Sequence, residues 1–272
     1  MQIIEQSIIP KNPTKKSEDG IVVTADYVAV IDGSTSKTDR RYSCYRSNGR
    51  YAMELIAAYL RRAPKNLSCH QFCIGATKQL RSRYSSIRAR LHGGGLNRLA
   101  EHPEERLTAS AIIFSRMRRE IWMIGDCQCY IGDQYYDNPK PSEEILASQR
   151  AEIIKSSPQP WDHFRQHDTA REAIIPHMLV TMQFQNKTYS VIDGFPIPEQ
   201  YVRIITLDFQ PWEIVLASDG YPWLCKTLAE SEERLRWQKE NDPLNIGEFK
   251  ATKAFMQGQD SFDDRAYIRF KV

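Results

Sequence analysis

Four short acidic patches, far apart along the chain, constrain this sequence more than any other feature. They are Ser17-Glu18-Asp19-Gly20, Val30-Ile31-Asp32-Gly33, Ala217-Ser218-Asp219-Gly220 and Ser261-Phe262-Asp263-Asp264. Carboxylates repel one another, so a fold that gathers them needs cations in the same place. Hard divalent ions such as Mg2+ and Mn2+ take oxygen ligands and keep several waters. A metal-dependent hydrolase is the chemistry this pattern points to.

The neighbours of each patch set it at a strand end. Ile21 to Ala25 and Tyr27 to Ile31 are short apolar, β-branched runs, and the second ends at Asp32-Gly33 before the polar turn Ser34-Thr35-Ser36. Glu213 to Ser218 is another such run, ending at Asp219-Gly220. Both read as a buried strand followed by Asp-Gly. The glycine lets the backbone approach closely, so its carbonyl can itself serve as a ligand. The last patch is inverted: the strand-like run Ala266 to Val272 follows Asp263-Asp264. An antiparallel partner would bring that strand start beside a strand end.

With these residues in view the chain resembles the PPM/PP2C family of metal-dependent protein phosphatases, in their divergent bacterial form, almost from end to end. Ser17-Glu18-Asp19 looks like the family's N-terminal Glu-Asp block and Ala29-Val30-Ile31-Asp32-Gly33 like its Val-x-Asp-Gly block. Thr108-Ala109-Ser110-Ala111 resembles the Gly-Ser/Thr-Thr-Ala strand, and Trp122 to Cys127 the strand ending in Gly-Asp-Ser. Leu216-Ala217-Ser218-Asp219-Gly220 and Asp263-Asp264 match the two closing blocks. A lone Asp-Gly is a common turn; five blocks in the family's order carry far more weight.

The resemblance implies a centre of two Mn2+ or Mg2+ ions, with room for a third. Asp32 would bridge both ions and the Gly33 carbonyl would bind the second. Asp219 and Asp263 would complete the first, and Glu18 and Asp19 would act nearby, directly or through water. Asp126, with Asp219, matches the position of the weaker third ion. Asp19, Asp32, Asp219 and Asp263 would thus carry catalysis. Such a pair acidifies a shared water and neutralises phosphoryl oxygens, so no Ser or Cys nucleophile is required. The chain also departs from the family. Ser34-Thr35-Ser36-Lys37 replaces the usual His/Met-Gly-Gly, removing an imidazole proton donor. Thr14 stands where many members place an arginine for substrate phosphate, and Lys15 and Lys16 beside it are the expected substitutes. A lysine offers charge without the bidentate fork of arginine. Arg265-Ala266 replaces the small apolar residue and Thr/Ser usual in the closing block.

At 272 residues and 41% hydrophobic content, residues 1–272 are expected to form one phosphatase domain. No apolar stretch approaches the roughly 20 residues of a membrane span. Met1 to Gln6 lacks the basic start and long apolar stretch of a signal peptide, so a cytoplasmic address is the expectation. A net charge of +3 does not argue for nucleic acid. The expected partner is a phosphorylated protein, with no membrane involvement, and the chain is expected to be a monomer. Six cysteines are an even number, yet nothing else suggests secretion and Cys127-Gln128-Cys129 lacks zinc-knuckle spacing. Reduced thiols are expected.

Helical spacing marks Arg50 to Leu60 and Ser68 to Leu91, with a stop at His92-Gly93-Gly94-Gly95. Strands follow at 109–114 and 120–130 around a basic turn, Met117-Arg118-Arg119. The polar segment 139–168 should hold helix and loop outside the sheets, with Trp161, His163 and His167 at its surface. Asp193 and Asp208 read as turn residues rather than ligands. Helices are expected over 227–239 and 246–256. This order suits an α+β fold, two antiparallel sheets packed face to face with helices outside in an αββα sandwich, and not a doubly wound parallel sheet.

Phosphoserine or phosphothreonine hydrolysis on protein is the leading expectation. A pseudophosphatase that uses the sandwich as a metal-binding or interaction module, and a hydrolase of small phosphomonoesters, stand beside it.

Overall fold

The computed structural model describes residues 1–85 and 95–272. Two five-stranded antiparallel sheets form its centre. One runs in the order β1-β10-β9-β6-β7 and the other β2-β3-β4-β5-β8. The strands are β1 (Gln2–Ile9), β2 (Gly20–Val23), β3 (Tyr27–Gly33), β4 (Ala109–Ser115), β5 (Glu120–Ile124), β6 (Gln128–Ile131), β7 (Gln134–Tyr136), β8 (Arg203–Thr206), β9 (Glu213–Ala217) and β10 (Arg265–Lys271). Helices α1 (Asn48–Leu60) and α2 (Cys69–Tyr84) cover one sheet, and α7 (Leu228–Asn241) packs on β1 of the other. The expected αββα layering is therefore present.

Burial of both faces explains why β3 reads as an unbroken apolar run rather than an alternation. Val28 and Val30 point between the sheets, where they join Ile112, Phe114 and Met123 against Leu216, Ile268 and Phe270. The rings of Phe114 and Phe270 meet across this layer at 5.5 Å. Tyr27, Ala29 and Ile31 point the other way, against Ile56, Leu60, Phe72 and Leu80 of the helices. Ser68 and Gln71 form a capping box that starts α2.

The expected single strand over 120–130 is two strands in two different sheets. Gly125, with φ of +84°, turns the chain out of β5 and across to β6. A Cβ there would come within 2.2 Å of Ser110 Oγ. Trp122 to Tyr130 looks continuous in sequence because both halves are equally buried.

Three α-helices lie between β7 and β8, followed by a 3-10 turn at Glu199–Tyr201. They are α4 (Glu143–Ser156), α5 (Trp161–Gln166) and α6 (Thr169–Met182), following the short α3 (Leu96–Glu101) earlier in the chain. Helix α6 has no counterpart among the expected elements. Pro176 sits inside it, a residue that usually ends a helix. Strand β1 was likewise not anticipated; it is an edge strand whose residues are half-buried or exposed in alternation.

The helix expected over 246–256 is not formed. Asp242 accepts hydrogen bonds from the amides of Ile246 (2.9 Å) and Gly247 (2.7 Å), and Asn245 adopts a left-handed φ of +53°. Local side-chain capping of this kind competes with helix. Arg150, fully buried on α4, pairs with Asp168 at 2.6 Å and donates to the carbonyls of Leu244 (2.7 Å) and Ala251 (3.1 Å). The inserted helices and the 242–256 loop are thereby locked together. Ser86 to Leu91 of the expected second helix, and His92 to Gly94 of its stop, lie outside the described residues.

Asp193 and Asp208 hold turns. Asp193 is buried and accepts from Arg106 at 2.7 Å and from the amide of Phe195 at 2.9 Å, ahead of Gly194. Trp212 donates to Asp208 at 2.9 Å. His167 is exposed beside Glu172. Cys69, Cys73, Cys127 and Cys129 are buried thiols. Among the described residues no helix is long and apolar enough to cross a membrane.

Gly125→Ala is expected to lower stability by about 1–3 kcal/mol, since an L side chain meets both the positive φ and the Ser110 hydroxyl. Chemical denaturation of the two proteins gives the difference directly, and equal midpoints would contradict this account of the crossover.

Candidate metal centre

Strand registers bring the separated carboxylates together. Gly20 pairs with Ile31 between β2 and β3, so one step further along the ladder Asp19 meets Asp32. Asp32 pairs with Ser110 on β4. In the other sheet Gln128 pairs with Ala217, so two steps further Asp126 meets Asp219. Strand β10 runs antiparallel to β9 and starts just after Asp263-Asp264, which places a strand start beside a strand end. The aspartates thus collect at one end of the sandwich.

Glycine makes the approach of α1 possible. A Cβ on Gly33 would lie 2.2 Å from the Gly49 carbonyl oxygen, and one on Gly49 2.5 Å from that of Gly33. The helix start therefore seats directly on the end of β3.

Asp32, Gly33, Asp219 and Asp263 line a cavity of about 110 Å3. Ser34, Thr35, Thr108 and Ser110 belong to the same wall. Leu146, Met178 and Met182, from α4 and α6, add apolar side chains to the lining. Asp19 is buried, and its Oδ2 has no hydrogen-bond partner. Glu18 is also buried, accepting from Thr35 Oγ1 at 2.5 Å. Asp126 accepts from Ser110 Oγ at 2.5 Å and pairs with Lys140. Carboxylate oxygens of Asp126, Glu143 and Asp219 lie within 4.8 Å of one another.

Electrostatics record the crowding. Burial, with the charges of Asp264 and Asp219, pushes Asp19 up to about 7 against a hydrogen bond from Ser218. Burial, then Asp19 and Asp126, drives Asp32 well above the usual carboxylate range. Asp219 is raised in the same way by burial, Asp32 and Asp126. Asp126 differs: burial raises it, but the Lys140 ammonium prevails and holds it below its ordinary value. Cations crowd the same cavity. Burial together with Arg171, Lys140 and Lys11 pushes Lys37 down to about 7, and burial with Lys11, Arg171 and Lys37 does the same to Lys253.

A floor of mutually repelling carboxylates with an orphaned buried oxygen suits a hard cation, and crowded ammoniums suit an anion. The donor set is all oxygen, as Mg2+ and Mn2+ require. Asp19, Asp32, Asp126, Asp219 and Glu143 fit that role as they stand. Asp263 has a different environment, between Lys11 (2.9 Å) and Lys253.

Lys15 and Lys16 are exposed and lie outside the cavity lining, whose lysines are Lys37, Lys140 and Lys253. Sequence reasoning missed these three and Glu143. Glu143 carries a weak signal as an acidic residue in the first turn of a helix. Lys253 carries none, because its loop reads as a helix.

No family model matches the chain, and no curated protein matches it. Among solved structures it is similar to RsbX in complex with magnesium, at 10% identity over 98% of this chain and 97% of that one, TM-score 0.47. It is also similar to the Mycobacterium tuberculosis serine/threonine phosphatase PstP/Ppp, at 13% identity, 99% and 98% coverage and TM-score 0.45. A third is PppA, a key regulatory component of T6SS in Pseudomonas aeruginosa, at 14% identity, 98% and 96% coverage and TM-score 0.47. At such distances function has to be argued from this chain's own side chains.

The raised carboxylates give a pH dependence of definite sign. Between about pH 4 and about pH 7 the unfolded chain has already lost the Asp19 proton while the fold still holds it. The native state then binds more protons, so this group's contribution to the stability of metal-free protein falls as pH rises through that window. Melting curves of the wild type and Asp19→Asn across pH 4–7 are expected to diverge, with the wild type losing ground as pH rises. Parallel curves would rule out the buried proton.

Proposed function

We propose that this protein is a metal-dependent phosphomonoester hydrolase acting on phosphoserine or phosphothreonine in protein substrates. The convergence of Asp19, Asp32, Asp126 and Asp219 from strand ends in both sheets onto one buried site is the observation that carries the reading. Asp32, Asp219, Asp126, Glu143 and the Gly33 carbonyl are the proposed cation ligands, with Asp19 and Glu18 acting on them directly or through water. When bound, Mn2+ or Mg2+ supplies Lewis acidity that lowers the pKa of water and offsets phosphoryl charge.

The chain's own groups complete the site. Lys37 and Lys253 line the same cavity and would hold phosphoryl oxygens by charge. Lys37 Nζ, pushed to about 7, is also suited to hand a proton to the leaving oxygen, a role the Ser34-Thr35-Ser36 turn cannot fill with an imidazole. Leu146, Met178 and Met182 would exclude bulk water and receive the aliphatic part of the phosphorylated side chain.

A binding module without turnover is the second reading. The ammoniums already seated on Asp126 and Asp263 favour it, because they neutralise two carboxylates without any divalent ion.

Assays with p-nitrophenyl phosphate, a phosphothreonine peptide and small phosphorylated metabolites separate the possibilities. Turnover is expected to require Mn2+ or Mg2+, to be abolished by EDTA, and to fall at least about 100-fold in Asp32→Asn. Hydrolysis that survives EDTA or the Asp32→Asn change would sink the proposal. Cation binding with no turnover of any ester would favour the binding module, and turnover of metabolites alone would move the substrate class.

A further inference from the structure

Asp263 is held by two lysines, where Asp126 is held by one. Its Oδ1 accepts from Lys11 Nζ at 2.9 Å and from the Asp264 amide at 3.0 Å, and its Oδ2 pairs with Lys253. Asp219, which the two-ion arrangement would join to Asp263 on one cation, has carboxylate oxygens of Asp126 and Glu143 within 4.8 Å.

Neither lysine is a loose surface side chain. The Lys11 amide donates to Asp264 Oδ1 at 2.7 Å, its carbonyl accepts from Asp260 at 2.9 Å, and its ammonium also reaches Thr35 Oγ1 at 3.1 Å. The Lys253 carbonyl accepts from Asn245 Nδ2 at 2.9 Å. The two residues before it are held by Arg171 on Thr252 and by Arg150 on Ala251. The inserted helices α4 and α6 therefore deliver Lys253 to Asp263 through the locked 242–256 loop.

We infer that Lys253 and Lys11 are resident cations at Asp263, standing where a divalent ion would otherwise sit, so that Asp263 organises the site without ligating metal. This deepens the proposed function and rests on it. A dication at the same carboxylate would meet the Lys11 and Lys253 nitrogens at close range and would have to displace them. Three of about four lone-pair sites on that carboxylate are engaged as well.

Mn2+ binding to the full chain, counted by electron paramagnetic resonance and titrated by calorimetry, tests this without reference to activity. Asp263→Asn is expected to leave the Mn2+ count and affinity within about threefold of wild type, whereas Asp219→Asn weakens binding at least about 10-fold. Lys253→Met is expected to gain about one further Mn2+ per chain, by freeing a carboxylate for a hard cation. That extra ion should vanish in Lys253→Met/Asp263→Asn, where both charges are removed together and the fold keeps its balance. Loss of about 10-fold or more in Mn2+ affinity on Asp263→Asn alone would overturn the inference while leaving the proposed function standing. No Mn2+ binding by the wild type would overturn both.

Discussion

Like-charge repulsion at one end of the sandwich is the constraint on which the rest of the site depends. Ladder pairing is cheap to specify and unforgiving: once Gly20 faces Ile31 and Gln128 faces Ala217, Asp19 must approach Asp32 and Asp126 must approach Asp219. The sheets are held in place by Val30, Ile112, Phe114, Leu216, Ile268 and Phe270, a core that contributes far more than the carboxylates oppose. The fold can therefore tolerate an unfavourable cluster that an isolated hairpin could not. Protons, lysines or divalent ions are the available ways of relieving it.

Lysine is the chain's particular solution. Lys140 reaches Asp126, and Lys11 with Lys253 reaches Asp263, while Asp32 and Asp219 are left to raise one another. A buried ammonium is a point charge with three donors and no preference for octahedral geometry, so it can balance a carboxylate without organising a reacting phosphate. Asp263, held by two lysines, is thus set apart from Asp126, held by one.

Much of this was legible in the sequence for a simple reason. Asp32 and Asp219 each follow an apolar run that can only be a buried strand, and Asp263 precedes one, so their placement follows from pairing alone. What stayed hidden depends on contacts between distant segments. Glu143, Lys140 and Lys253 enter from the insertion and from an irregular loop, positioned by Arg150, Arg171 and Asn245 rather than by any local period. Lys15 and Lys16 stand beside Thr14, where the resembled family places an arginine for substrate phosphate, but they are exposed while Ser17 after them is buried. The break at Gly125 was invisible because the residues on either side of it are equally apolar, and Pro176 disguised α6.

The crossover at Gly125 ties the two layers at the very edge of the carboxylate cluster. Ser110 in one layer is bonded to Asp126 at the entrance to the other, within the three residues that join β5 to β6. Any shear of one sheet over its partner is therefore geared to the spacing between aspartates. Packing deep in the hydrophobic interior and ligand spacing at the rim form one mechanical unit, and a volume change near Phe114 or Phe270 would be felt at the mouth of the cavity as a change in oxygen-to-oxygen distance.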